Sequence, residues 1–185
     1  MFVIAVFFSM VTQMNIISKP LPAYSRKDIR DTTKNYIVLH NDGSNNDEAS
    51  IYKTLRERRL GYHYFISRAG KIYQFIDPMY VASHAGTSSY NGLYKWNKFS
   101  IAICLQGTSI MKYSQSQYKS LRSLLDVLYL RYPNSKDLPL LGHSDIAYPR
   151  GRKDDPGPFF DSTLLYLTEP FYDPTIFPRR SPPAT

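Results

Sequence analysis

Two histidines and one aspartate have the residue types and the settings expected of a hydrolytic metal site. His40 ends a short β-prone run beside a turn, His143 follows Leu-Leu-Gly, and Asp155 lies in a proline-containing loop. Zinc sites that hydrolyse a substrate usually have three protein ligands and one open position for water. Strand ends and stiff loops hold ligands in a fixed geometry. Composition alone would more often make each histidine a structural or surface residue, so the three residues are candidates at this point.

The elements that would position these residues alternate between strands and helices. Strands are predicted at 36–40, 62–66, 72–76, 100–105 and 138–142, and helices at 48–60, from 114 onwards and at 161–167. Ser114 and Gln117 have the spacing of a capping box, and the apolar residues that follow recur at helical spacing. The continuous apolar run at 100–105 is typical of a central strand. Together they predict an α/β fold, a central mixed β-sheet flanked by helices.

The chain divides into four segments by composition. Residues 1–18 are an apolar N-terminal segment whose length suits the core of a signal peptide and is too short to span a membrane. A lead-in linker follows at 19–34, then a single domain at 35–167 and a proline-rich tail at 168–185. We therefore expect a secreted or periplasmic protein without a stable membrane span. The alternatives are a buried N-terminal segment or a short anchor that is not cleaved, and a cytoplasmic location is a further alternative.

The net charge indicates which partners the chain can bind, and the cysteine content indicates whether it can form a disulfide. The 185 residues carry a formal net charge of +8, which favours an anionic partner such as nucleic acid or a cell envelope. The lysines and arginines are scattered and form no nucleic-acid-binding signature, so no nucleic acid is expected. Cys104 is the single cysteine of the chain, which excludes an internal disulfide. We expect a monomer.

Five sequence motifs occur in an order that resembles one known family. They are Ile37-Val-Leu-His40, Gly61-Tyr-His-Tyr-Phe-Ile66, Ser83-His-Ala-Gly86, the run from Asn97 to Leu105, and Gly142-His-Ser-Asp followed by Arg152-Lys-x-Asp-Pro-Gly-Pro158. Together they resemble the zinc N-acetylmuramoyl-L-alanine amidases over about residues 35 to 162. One motif alone would be weak, whereas five in order with matching spacing are specific.

The resemblance implies a zinc ion at the floor of a groove, with His40, His143 and Asp155 as its ligands. Asp154 is the competing carboxylate, and the family spacing Lys-x-Asp-Pro-Gly favours Asp155. The implied reaction is hydrolysis of the amide between N-acetylmuramic acid and L-alanine, in peptidoglycan or in muropeptides. The alternative is a peptidoglycan-binding module without catalysis, although all three ligand positions are filled here.

The resemblance also assigns catalytic roles. Lys153 matches a position that stabilises the oxyanion, and Tyr62 matches a tyrosine that hydrogen-bonds the attacking water or the oxyanion, although it could instead be a groove wall. We interpret His63 as a structural residue or as one that supports a metal ligand from behind, because neighbouring residues of a strand point to opposite faces.

Three further residues follow from the same resemblance. His84 and Asn97 match groove positions and are expected to contact the substrate, although His84 could equally be structural. Cys104 stands where many bacterial members carry a glutamate that acts as general base. A thiol with an ordinary pKa of about 8.5 cannot replace it near neutral pH. We therefore expect catalysis to depend on Tyr62 and Lys153 beside the zinc.

Overall fold

A six-stranded mixed sheet forms the centre of the fold. The computed structural model describes residues 14–22, 26–27, 34–132 and 140–167. The elements are β1 (Ile16–Ser18), β2 (Arg26–Lys27), β3 (Tyr36–Asn41), α1 (Glu48–Arg58), β4 (Tyr64–Ile66), β5 (Ile72–Gln74), β6 (Val81–Ala82), β7 (Ser89–Tyr90), β8 (Leu93–Tyr94), β9 (Ser100–Leu105), α2 (Gln115–Arg131), β10 (Leu140–Gly142), α3 (His143–Ile146) and α4 (Leu164–Leu167). The strand order is β1-β5-β4-β9-β3-β10, and only the pairing of β4 with β5 is antiparallel within this sheet. The predicted mixed α/β sheet is confirmed.

The two faces of the sheet have different partners. Every residue of β9 is buried between β4 and β3, so the predicted central position of this strand is confirmed. Ile101 and Ile103 face α2, which packs its apolar stripe on them. Helix α2 begins after the predicted capping box, in which Ser114 and Gln117 bond to each other's backbone. The opposite face of the sheet carries Cys104 and the side chains of the site.

Strand register brings the two candidate histidines together. In the parallel pair of β3 and β10, Gly142 lies opposite Leu39. The next residue along the chain is a histidine in both cases, His40 within β3 and His143 directly after β10, so the two lie side by side at the carboxyl ends of neighbouring strands. In the pair of β3 and β9, His40 lies opposite Cys104.

Several element boundaries differ from the predictions. The helix predicted at 48–60 ends at Arg58, because Arg59 adopts a left-handed conformation with φ of 54°. The strand predicted at 62–66 begins at Tyr64. The strand predicted at 72–76 ends at Gln74, because the next two backbone N–H groups, of Phe75 and Ile76, both bond to the carbonyl of His63 and break the regular ladder.

Other differences concern short elements. The region between residues 77 and 98, for which no strand or helix was predicted, contains the three two-residue strands β6, β7 and β8. Neither β1, at the sheet edge, nor the single turn α3 was predicted, and the helix predicted at 161–167 is present from Leu164. The domain boundaries remain predictions. The apolar segment lies largely outside the described residues, as does the tail after 167, and among the residues described no helix is long and apolar enough to cross a membrane.

Candidate metal centre

His40, His143 and Asp155 form a buried triangle at the carboxyl end of the sheet. The Nδ1 atoms of the two histidines lie 3.1 Å apart, and each lies 3.1 Å from Oδ2 of Asp155. The three residues are 1%, 4% and 6% exposed. The structure thus brings together all three predicted ligands, whereas the competing Asp154 is exposed.

Tight packing holds the loop of Asp155 against the strand ends. The carbonyl of Asp155 accepts a hydrogen bond from the backbone N–H of Ser144, the residue after His143. A Cβ on Gly142 would lie only 2.8 Å from Cδ of Pro156, so the close approach of the loop requires glycine there. Gly157 has a φ of +88°, and a Cβ on it would collide with the backbone of Ser109.

The donor set fits a zinc ion. Ligand atoms at about 2.0–2.1 Å from a tetrahedral zinc lie about 3.3 Å from one another, close to the 3.1 Å sides of this triangle. Nε2 of His143 lies 3.0 Å from the carbonyl oxygen of Ala85, which can only accept, so Nε2 carries the proton. In the neutral ring Nδ1 of His143 therefore presents a lone pair to the triangle. A lone pair and a carboxylate oxygen facing each other at this distance favour a cation between them.

Burial keeps the site in the protonation state that a metal ligand needs. Burial lowers the pKa of His40 to about 4, and the positive charge of nearby Lys153 acts in the same direction. Burial raises the pKa of Asp155, but proton-bearing forms of His143 and His40 would bond to its carboxylate and attract it, which outweighs burial and lowers the pKa overall. At neutral pH the site therefore offers a neutral His40 imidazole and an ionised carboxylate.

Tyr62 lies beside His40, with ring centroids 5.1 Å apart. Burial raises the pKa of Tyr62 well above 10, and the neighbouring Cys104 and Asp155 act in the same direction. The phenol is therefore neutral at neutral pH and can donate a hydrogen bond. Lys153, the other predicted catalytic residue, is exposed on the loop of Asp155.

Cys104 is fully buried in an apolar cluster with Phe65 and Phe75. Burial raises the pKa of its thiol well above the usual value. Cys104 consequently remains a neutral thiol at neutral pH, which agrees with the expectation that it does not replace the glutamate as a base.

The two predicted substrate contacts have partners inside the protein. His84 is 8% exposed, with Nδ1 at 3.0 Å from Nε2 of His40 and Nε2 at 3.1 Å from Oγ of Ser100. Oδ1 of Asn97 accepts hydrogen bonds from the backbone N–H groups of His84 and Ala85, at 3.0 and 2.8 Å. Substrate contact by either residue remains a prediction.

Sequence reasoning missed Ser100 and the carbonyl of Ala85, which bond to the site histidines. The polar start of an otherwise apolar strand is the signal that could have identified Ser100.

His63 has both ring nitrogens in internal hydrogen bonds, which agrees with its structural interpretation. Its Nδ1 accepts from the backbone N–H of Ala102 at 2.8 Å, and its Nε2 lies 3.1 Å from the carbonyl of Tyr80. Burial lowers the pKa of His63 to about 3. The reason given by strand alternation does not apply, because Tyr62 and His63 precede β4.

The fold and the site define an α/β domain with a His-His-Asp triangle suited to a metal ion at the carboxyl ends of its sheet. Residues 30–158 match the family model described as N-acetylmuramoyl-L-alanine amidase, and the chain belongs to that family. Its motif resemblance is thereby confirmed.

Characterised relatives agree with this family. The 1,6-anhydro-N-acetylmuramyl-L-alanine amidase AmpD of Citrobacter freundii is 42% identical over 103 residues, which are 56% of this chain and 54% of the relative. AmpD of Enterobacter cloacae is 44% identical over 115 residues, 62% of this chain and 60% of the relative. The chain thus spans between half and two thirds of the length of these curated relatives.

Solved structures show the same fold. The crystal structure of a selenomethionine AmpD derivative is 31% identical with a TM-score of 0.70, and the match covers 82% of this chain and 93% of that one. AmpDh3 from Pseudomonas aeruginosa, in complex with anhydromuramic pentapeptide, is 28% identical with a TM-score of 0.63, covering 74% and 60%.

Proposed function

We propose that this chain is a zinc-dependent N-acetylmuramoyl-L-alanine amidase, which hydrolyses the amide bond between N-acetylmuramic acid and L-alanine. The observation that carries the proposal is the triangle of His40, His143 and Asp155, whose ligand atoms lie 3.1 Å apart inside the fold of this family. These three residues would hold the zinc ion. A bound zinc ion would act as a Lewis acid that polarises the amide carbonyl and makes water nucleophilic near neutral pH.

The residues around the triangle have complementary tasks. Tyr62, a neutral phenol beside His40, donates a hydrogen bond to the attacking water or to the developing oxyanion. Lys153 contributes a positive charge from the exposed rim, where the carbonyl oxygen of a substrate would gain negative charge. Cys104, in place of the glutamate of many bacterial members, takes no part in proton transfer because its thiol stays protonated.

We propose a muropeptide that carries the 1,6-anhydro sugar as the substrate. This step rests on the names of the relatives at 42% and 44% identity and on the anhydromuramic peptide bound to the Pseudomonas aeruginosa structure. The net charge of +8 suits a substrate whose peptide carries carboxylates. Secretion and a monomeric state remain predictions.

The test is incubation of the zinc-loaded protein with a purified anhydromuropeptide and, in parallel, with intact sacculi, each with and without chelator. Mass analysis should detect a free peptide with an L-alanine amino terminus, and the chelator should abolish its release. Cleavage of the soluble fragment alone would support the substrate proposal, and cleavage of sacculi alone would contradict it. Binding of zinc and muropeptide without cleavage would replace the amidase with the non-catalytic binding module.

A further inference from the structure

We propose that His84 is a positioning residue, which with Ser100 and the carbonyl of Ala85 fixes both ligand histidines in the tautomer that presents Nδ1 to the metal. The inference rests on the proposed zinc site but not on amidase activity. Neutral imidazole carries one proton on either nitrogen, and the wrong tautomer would point an N–H at the cation. The hydrogen bonds at the far side of each ring determine which tautomer is present.

The first link is Ser100, a fully buried serine at the start of β9. Its hydroxyl donates to the backbone carbonyl of Trp96, which can only accept. Since that bond uses the one hydroxyl proton, Oγ can only accept from the ring of His84, 3.1 Å away. Nε2 of His84 therefore carries a proton.

The second link transmits this assignment to the metal site. In the neutral ring of His84 the unprotonated nitrogen is Nδ1, which faces Nε2 of His40 at 3.0 Å. Nε2 of His40 must then donate, and its own Nδ1 is left with a lone pair. That lone pair points at Nδ1 of His143 and Oδ2 of Asp155, both 3.1 Å away.

The same loop also determines the tautomer of the second ligand histidine, His143. The carbonyl of Ala85, the residue after His84, lies 3.0 Å from Nε2 of His143 and determines its tautomer in the same sense. Asn97 accepts from the backbone N–H groups of both loop residues, and Arg152 donates to the carbonyl of Ala85 at 2.9 Å. One short segment, anchored by a side-chain amide and a guanidinium, therefore orients both imidazole ligands.

The proposal can be tested without any substrate. Long-range proton–nitrogen correlation spectra of the wild-type zinc-loaded protein distinguish a protonated ring nitrogen from a bare one. We expect protons on Nε2 of His40, His84 and His143. A proton on Nδ1 of His84 would overturn the proposed chain of hydrogen bonds from Ser100 through His84 to His40. This measurement does not depend on whether any variant folds.

Zinc affinity tests the consequence. Ser100→Ala removes the acceptor for His84, and zinc affinity measured by competition with a chromophoric chelator should fall about 10- to 100-fold, as for other residues that orient metal ligands. Ser120→Ala is the matched control, because this serine also donates to a backbone carbonyl, that of Gly70, but lies on α2, which packs on the other face of the sheet. An unchanged affinity in Ser100→Ala, or an equal loss in the control, would overturn the proposal. If the proton positions and the zinc affinities are as expected but the wild-type protein has no amidase activity, the result would count against the proposed function instead.

Discussion

The change of Asp155 to asparagine should have opposite effects on the stability of the metal-free and zinc-bound protein. Without metal, the carboxylate oxygen of Asp155 lies 3.1 Å from the Nδ1 atoms of His40 and His143. Both of these nitrogens present lone pairs in the tautomers proposed above. An asparagine amide has nearly the same shape and can donate a hydrogen bond to one of them. A net hydrogen bond of this kind contributes about 1 kcal/mol, so the metal-free variant should be at least as stable as the wild type.

With zinc bound, the wild type should be more stable than Asp155→Asn. A ligand at 100 times its dissociation constant stabilises the folded state by about 2.7 kcal/mol. For a chain of this size, 1 kcal/mol shifts the midpoint of thermal unfolding by about 2–4 °C, so zinc should raise the wild-type midpoint by roughly 5–11 °C. Asp155→Asn lacks the anionic ligand, and its zinc-dependent shift should be close to zero under the same conditions.

The assay is thermal unfolding followed by circular dichroism, with chelator and with zinc buffered at a fixed free concentration. Asp154→Asn is the matched control, because it removes the same charge from the exposed neighbour that competes for the ligand assignment. This control should retain the wild-type zinc shift. The ligand assignment is refuted if Asp154→Asn loses the shift and Asp155→Asn keeps it, and the account of the metal-free triangle is refuted if Asp155→Asn markedly lowers the midpoint in chelator.

Three further predictions concern single side chains. Lys153→Ala should lower kcat for muropeptide hydrolysis by about 10²-fold, with zinc content unchanged, because it removes the charge that we propose stabilises the oxyanion. Equal rates in the variant and the wild type would exclude Lys153 from the mechanism. Tyr62→Phe should lower kcat by a similar factor of about 10², and a variant with full activity would make Tyr62 a groove wall. The pKa of His63 is lowered by burial to about 3, so as pH falls below the ordinary value of 6.5 the unfolded chain takes up the proton first. Stability present above pH 6.5 is then lost, by about 2 kcal/mol at pH 5, and urea unfolding of His63→Gln should show a correspondingly flatter pH dependence.

The sequence predicted which polar residues come together better than it predicted the connections around them. His40 and His143 were candidates because His40 ends a β-prone run and His143 directly follows one, and parallel strands that pair in register place such residues side by side. The strand β1 was missed because three residues at a sheet edge, Ile16–Ser18, are too few for a period to be recognised. The loop before β9 was read only as a loop, since no period marks two-residue strands.

The role of His84 shows a different limit. Its motif resemblance placed it near the metal, and the expected partner was the substrate. The direction of its side chain depends on a hydrogen bond to Ser100, which is 16 residues away along the chain and begins the strand β9. Spacing along a chain predicts which face of a strand a residue occupies, but it does not predict hydrogen bonds between a loop and a strand. The proton positions that follow from those bonds required the structure.

Because Cys104 stands where many bacterial members carry a glutamate, we expect the orientation of the proposed zinc ligands to matter more for activating water. Cys104 lies opposite His40 on β9, and both its thiol and the phenol of Tyr62 stay protonated near neutral pH. Neither group can therefore accept the proton of an attacking water, and we expect Tyr62 to act as a donor. Without a carboxylate at position 104, we expect activation of water to depend more strongly on how well the three proposed ligands would hold a zinc ion. The hydrogen bonds through His84 and Ala85 align two of the three ligands before the metal binds, which lowers the entropic cost of assembling the site.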